Sequence, residues 1–412
     1  MKTRRIIINI CVCALLVVVT VDCSHAQTKV EDKDRSGLTV KRKRQDDLQG
    51  NADSMRPLDL SLLNTTRHSM VIAFQDFCDS QQPNGSWKDD PAITALVLTS
   101  FMLEPQYNPD DKTDEVIRKG YAFLEKFVKP NGGIYNEYYR NYSTAVVLMA
   151  FAAAGKPEYQ SIINNAREYL IKSQLDEGED ITPDHKYYGG IGYGGDDRPD
   201  LSNLHLALEA IKTAEVFEFE SNGLIKFPNP AEPVLKEETL APHWQKALVF
   251  LMRTQNIEAI NDMDYATDDG GFIYETGHYK PERSISYGSM TYAGLKSLLY
   301  AGIDKNDIRV KKAYAWICSH YTVDENPSFG TSSLYYYFMT ATKCLRTFGG
   351  HTVIDSEGNK HYWREDFINK IISLQHEEGY WVNSDGRYQE NVKDLATAYS
   401  VIAIKHALHD AY

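Results

Sequence analysis

The chain is poor in cysteine, poor in positive charge, and poor in anything that alternates like a strand. Six cysteines stand among 412 residues. Cys11, Cys13 and Cys23 fall in the first 23 positions, which leaves Cys78, Cys318 and Cys344 for the body. An odd number with no paired spacing is no disulfide framework, and no CxxC offers a thiolate metal site. These three are expected as small buried apolar residues. The formal net charge is −13, which argues against a nucleic-acid partner. Beyond the first residues the only basic block, Lys41–Arg44, lies in a polar stretch that reads as a solvated tether. A glycine cluster at Gly190, Gly192, Gly194 and Gly195 invites a dinucleotide-binding reading, but no strand precedes it. The segment before it, EYQSIINNAREYLIKSQ, places Ile162, Ile163, Ala166, Tyr169 and Leu170 on one helical face. The glycines therefore join two helices.

The first residues read as a leader. MKTRR is basic, Ile6 to Val21 is apolar, and Ser24 and Ala26 are small residues at the positions a signal peptidase reads. Cleavage after Ala26 and export to the periplasm or beyond are expected; an uncleaved membrane anchor is the alternative. Three segments follow from this: a signal peptide at 1–26, a disordered polar segment at 27–55, and one folded domain at 56–412.

That domain is built from a repeat. An apolar helix, often with a Gln near its end, runs into a glycine turn carrying an aromatic, and a second apolar helix follows. The turns are QPNGSW (Gln82–Trp87), PNGGIY (Pro130–Tyr135), YYGGIGYGG (Tyr187–Gly195), DDGGFIY (Asp268–Tyr274), ENPSFG (Glu325–Gly330) and QHEEGYW (Gln375–Trp381). They are spaced roughly fifty to eighty residues apart, as helical hairpins with insertions are. The second helices, such as STAVVLMAFAAAG (Ser143–Gly155), are apolar all round and so buried on every side. The first helices keep a charged face. Six such hairpins predict an all-α (α/α)6 toroid, with apolar helices inside and amphipathic ones outside, and no sheet. Gln82, Trp87, Gln375 and Trp381 are expected to hold the turns together.

QPNGSW and QHEEGYW resemble the Q-x(2–5)-G-x-W repeat of the squalene cyclases and the prenyltransferase β-subunit superfamily. The resemblance runs over about residues 65–408. It is nearest to the exported bacterial prenyltransferase/squalene-oxidase-repeat proteins, whose motifs GYGGDDRPDLSNLHLALEAI, RSISYGSMTYAGLKSLLYAG and YTVDENPSFGTSSLYYYF are similar to. Protein prenyltransferases of this kind hold zinc through an Asp and a Cys at the start of one inner helix and a His on another. The corresponding segment, Ile285–Gly294, has Ser286 and Ser289 and neither acid nor thiol. Hydroxyls do not replace those ligands, and His278 and His320 are isolated. The resemblance thus implies no metal site and no cofactor.

Class II terpene cyclases carry a DxDDT-type motif whose middle Asp protonates an alkene or epoxide. RPDLSN (Arg198–Asn203) occupies the equivalent place. The resemblance implies Asp200 as the acid and Ser202 in the Thr position, with Arg198 and Leu201 replacing the flanking acids. The same residues also spell a helix start, with Asp200 or Ser202 as N-cap. Tyrosine is abundant, at 27 residues. Tyr193, Tyr287, Tyr292, Tyr335 and Tyr336 are candidates to line a central cavity, where aromatic faces would stabilise cations; ordinary packing is the competing reading. The function implied is proton-initiated chemistry on an isoprenoid or other lipid in an apolar cavity, with membrane-surface association. Two alternatives stand: a toroid that binds a lipid, glycan or protein without chemistry, and a polysaccharide-degrading (α/α) toroid. The pairs Asp196/Asp197 and Asp268/Asp269 read as solvated loop charges, because adjacent turn residues rarely face each other.

Overall fold

A computed structural model describes residues 57–103, 111–195, 198–217, 237–277 and 284–408. The expected leader, the polar segment, Asp196, Asp197 and His278 lie outside the described residues. Among the described residues are twelve α-helices. Six form the outer layer: α1 (Leu60–Ser80), α3 (Asp111–Glu125), α5 (Gln160–Lys172), α7 (Pro242–Thr254), α9 (Ile308–Ser319) and α11 (Trp363–Ser373). Six form the inner layer: α2 (Pro91–Met102), α4 (Arg140–Ala154), α6 (Leu201–Val216), α8 (Gly288–Tyr300), α10 (Leu334–Phe348) and α12 (Lys393–Leu408). Each inner helix packs on the next, and α12 returns to α2, which closes the ring. The chain is an all-α toroid of six hairpins. None of the described helices is long and apolar enough to cross a membrane.

Helix starts follow local chemistry. Asp59, Asp90, Asp200 and Asp307 cap α1, α2, α6 and α9, each accepting from a first-turn N–H. Pro91 fits the first position of α2, where its missing N–H costs nothing. Inner helices are buried almost throughout, and all fifteen central residues of α12 from Asp394 to Leu408 are out of water.

The turns use one device several times. The amide of Gln375 donates to Gly379 O at 2.7 Å and to Ser69 O on α1 at 3.0 Å. Gln174 donates to Gly189 O and to His243 O on α7, and Gln255 to Gly270 O and to Arg309 O on α9. Each glutamine thus binds its own turn to the next outer helix. In the first repeat this is done by Gln81, whose amide reaches Gly85 O at 3.0 Å and Val116 O on α3 at 2.8 Å. Gln82, the residue the motif suggests, bonds only Ser86 and Asp89 within its own turn. Gln81 stands four residues before Gly85 and six before Trp87, the spacing of Gln375 before Gly379 and Trp381, so it is the preceding glutamine that points at α3. Glycine is needed at Gly379, where φ is +99° and a Cβ would meet Ile72 at 2.4 Å. Trp87 and Trp381 are fully buried and donate to Phe77 O and Ile371 O. A second device escaped the sequence reading: the hydroxyls of Thr94, Thr144, Thr291 and Thr397 accept the turn N–H groups of Trp87, Ile134, Phe272 and Trp381.

Two expectations need correction. A short ribbon, β1 (Val353–Ile354) with β2 (Lys360–His361), follows α10 where no strand was expected. Cys344 is buried, but Cys78 and Cys318 are only partly so, because they sit on amphipathic outer helices. The fifth turn uses Asn326 instead of a glutamine: it accepts from Ser289 N at 2.9 Å and donates to Ser289 Oγ at 3.1 Å.

Candidate functional site: a tyrosine chamber

The inner helices begin at one end of the ring, and their first turns surround a chamber of about 330 Å³. Its wall holds Tyr142 and Ser143 of α4, Ser202 of α6, Tyr336 of α10, and Leu395 and Tyr399 of α12. Tyr138, Tyr139, Tyr193 and Tyr388 come from the turns above. Seven of the lining residues are tyrosines, and none is Phe or Trp.

The deeper hydroxyls are tied down. Tyr142 and Tyr399 share a hydrogen bond of 3.0 Å. The Tyr336 hydroxyl lies 3.0 Å from Ser202 Oγ and 2.5 Å from His205 Nε2. Burial pushes the Tyr142, Tyr336 and Tyr399 phenols well above their usual range, and it pushes the His205 imidazole well below its own. The floor is therefore a set of neutral ring faces held in fixed orientation. Ser143 Oγ, buried in the wall, has no hydrogen-bond partner. Asn136, Gln389 and Arg387 stand round the mouth.

Asp200 sits beside the chamber, not in it. Its Oδ1 accepts from Asn203 N at 2.8 Å, and its Oδ2 from Asn203 Nδ2 at 2.7 Å. It is 4% exposed and absent from the lining. Burial pushes its carboxyl up to about 7, against hydrogen bonds from Asn203 and Tyr274 that pull it down. Tyr193, beside it, is pushed up to about 12 by burial and by the Asp200 charge. Of the candidate tyrosines, Tyr193 and Tyr336 line the chamber. Tyr287 stacks on Phe329 at 4.6 Å, Tyr292 is buried against Tyr337 at 5.8 Å, and the Tyr335 hydroxyl bonds Val382 O. Tyr138, Tyr139, Tyr142, Tyr388 and Tyr399 were missed. Tyr142 falls in the first turn of α4, a positional signal that could have found it, whereas Tyr399 lies in the second turn of α12 and carries no such signal.

Toward the opposite end, the ring axis is filled. Glu209 of α6 binds Lys296 of α8 at 2.6 Å and Lys343 of α10 at 3.0 Å. Burial works to raise the Glu209 carboxyl, and the two ammonium groups overcome it and hold it well below the usual range. Lys405 of α12 donates to Ser100 O and Phe101 O in the last turn of α2, which places a cation at the negative end of that helix. Among the described residues no three His, Cys, Asp or Glu side chains gather as a metal site. Ser286 bonds Asp269 and Asn256, and Ser289 bonds Asn326. His320 stacks on Trp316 at 4.0 Å.

No protein-family model matches the chain, and no curated protein matches it. Among solved structures it is similar to the type II terpene cyclase MstE from Scytonema. A variant of that enzyme bound to geranylgeranyl dihydroxybenzoate is 14% identical, with 84% of this chain and 98% of that chain covered and a TM-score of 0.52. An apo variant is 14% identical, covers 85% of this chain and 99% of that one, and has a TM-score of 0.51. The class is thus the terpene-cyclase-like toroid, and at this identity the likeness is one of fold.

Proposed function

We propose that the tyrosine chamber binds a neutral, polyhydroxylated ligand with flat apolar faces, of which a saccharide is the chemical class. The wall chemistry carries this reading: every aromatic in the lining is a tyrosine, and the polar residues Asn136, Gln389 and Arg387 stand with them. A sugar ring lays its C–H face on the phenol rings and offers hydroxyls to Asn136 and Gln389. A prenyl chain would cover those groups without bonding them, and desolvating an unmatched polar group costs free energy. The chamber falls in the size range of small-molecule sites, roughly 300–1,000 Å³. Export through the leader at 1–26 belongs to the same reading, since it delivers the chamber to where glycans are displayed.

The test is titration calorimetry with malto-, cello-, chito- and xylo-oligosaccharides, and separately with geranylgeraniol. Saturable saccharide binding that weakens about tenfold in Asn136→Ala, the loss of one good hydrogen bond, is expected. Binding of geranylgeraniol with no response to any saccharide would overturn the reading. Amino-terminal sequencing of secreted protein should begin at Gln27; recovery of the intact chain in membranes would refute the cleavage.

Proton-initiated isoprenoid chemistry is the second reading, and one observation favours it: Asp200 is pushed up to about 7 and so is substantially protonated at neutrality. Both its oxygens are engaged by Asn203, so it would act on the chamber through Tyr274, which it bonds, and Tyr193, which Tyr274 bonds in turn. Cyclised product from geranylgeranyl substrates, abolished by Asp200→Asn, is what that reading requires.

A further inference from the structure

Asp90 caps α2 with one carboxylate oxygen and has the other to spare. Its Oδ1 accepts from Ala92 N at 2.8 Å and from Ile93 N at 2.9 Å. These bonds hold the carboxylate against the helix start, and no hydrogen bond reaches Oδ2 among the described residues. Asp90 is half-buried, and Oδ2 is not one of the buried atoms stranded without a partner, so that oxygen meets water. The other capping aspartates differ. Both oxygens of Asp200 are taken by Asn203, and both of Asp307 by Arg309. Asp59 is exposed at the start of an outer helix, away from the chamber.

The water that Oδ2 meets belongs to the chamber. Asp90 and the next three residues of α2 form part of its wall. The Asp90 charge also adds to the upward push on the Tyr142 phenol, which stands on the same wall. Asp90 is the one carboxylate of the lining among the described residues. The one cation there, Arg387, bonds Asp385 through Nε at 3.1 Å and through Nη2 at 2.7 Å, which offsets its charge. An ionised carboxylate only accepts hydrogen bonds, and those it accepts are roughly twice as strong as neutral ones. A ligand carboxylate or sulfate has no hydrogen to give it, and like charges repel more strongly in a partly enclosed cavity than in water.

We propose that Asp90 anchors and selects the chamber's ligand: Oδ2 accepts a sugar hydroxyl, and the charge shuts out saccharides that carry carboxylates or sulfates. The helix cap aims this acceptor, because Oδ1 is already committed to α2. The inference rests on the saccharide reading of the chamber and narrows it to uncharged glycans.

The experiment is calorimetry on the full chain with malto-, cello-, chito- and xylo-oligosaccharides, and with oligoglucuronates of the same length. Asp90→Asn and Asp90→Ser both keep a capping side chain, and their melting temperatures confirm that they fold. Each should weaken the neutral saccharide about tenfold or more, the loss of a charge-assisted hydrogen bond. Asp59→Asn makes the same change at a cap outside the chamber and should leave the affinity as it is. Wild type should bind the oligoglucuronate about tenfold or more below the neutral chain, and Asp90→Asn should narrow that gap to about threefold or less. Neutral binding by Asp90→Asn within about twofold of wild type, an oligoglucuronate that binds wild type as well as the neutral chain does, or a gap that survives the substitution overturns the role of Asp90 and leaves the saccharide reading standing. Absence of binding by every saccharide overturns both.

Discussion

Replacing Gln375 by methionine tests whether the glutamines, and not the helix contacts alone, hold the ring shut. Gln375→Met keeps the length of the side chain and removes its polar end. Three bonds are lost: to Ser69 O at 3.0 Å, to Gly379 O at 2.7 Å, and from Ser69 Oγ at 2.6 Å. The site is half-buried, so water recovers part of each. At about 1 kcal/mol net per bond, the loss is about 2–3 kcal/mol. An unfolding entropy of about 2 cal/mol/K per residue over roughly 350 residues converts this to a fall in Tm of about 3–4 °C. Gln81→Met removes two bonds of the same kind and should cost about 2 kcal/mol. Gln82→Ala, at the residue the motif names, removes only contacts inside an exposed turn and should cost about 1 kcal/mol. Calorimetric melts of the three variants give the ranking. A Gln375→Met protein melting within about 1 °C of wild type, or a Gln82 variant worse than the Gln81 variant, would refute the reasoning.

Two further outcomes follow from the buried charges. Asp200 is pushed up to about 7 when folded, against about 4 when unfolded; its contribution to stability is full below about pH 4 and lost as pH rises through 7. Asp200→Asn keeps the cap and removes the titration, so at pH 8 it should be more stable than wild type by about 1–3 kcal/mol, a gain that shrinks toward pH 5. Urea midpoints at the two pH values check this, and a gap that does not change with pH sinks it. Glu209→Gln should cost about 3–5 kcal/mol, because it strands the Lys296 and Lys343 ammonium groups in the ring axis. A melt within about 1 kcal/mol of wild type would show that this axis is wetter than its burial implies.

The repeat was legible because its signals are local. QPNGSW and QHEEGYW set a glycine and a Trp at fixed offsets, and helices apolar on every face, such as Ala145–Ala152, have no place except between two layers. The threonines were not legible: Thr94 and Thr397 look like any polar residue in a helix until the turn N–H above them is seen. The choice between Gln81 and Gln82 was legible in the spacing: Gln81, like Gln375, stands four residues before the turn glycine, whereas Gln82 stands three before it. The chamber was read only in part for a different reason. Tyr142 and Tyr399 are 257 residues apart and meet only across the closed ring. Periodicity gives the face of a helix, but not which part of an all-buried helix points at the axis. Tyr292 and Tyr335 were chosen on that footing, and both fill the layers beside the axis. Asp200 was found by position, but the Asn203 amide that occupies its carboxylate follows only from the folded turn.

The joint at Gln375 differs from its counterparts in when it can form. The partners of Gln81 lie no more than 35 residues away, those of Gln255 no more than 54, and those of Gln174 no more than 69. Ser69 lies 306 residues before Gln375. The first hairpin must therefore wait, with Ser69, Ile72 and Ser80 of α1 uncovered on the side where Gln375, Gly379 and Asp394 will meet them, until the sixth has been made. Among the described residues the only sheet is a local two-stranded ribbon and no disulfide guides the chain. Its slow step is the meeting of its two ends, and the loop to be closed is nearly the whole domain. Three like joints that tighten locally and one that tightens last give the ring a seam. Damage to the seam quickens opening, whereas damage elsewhere slows assembly.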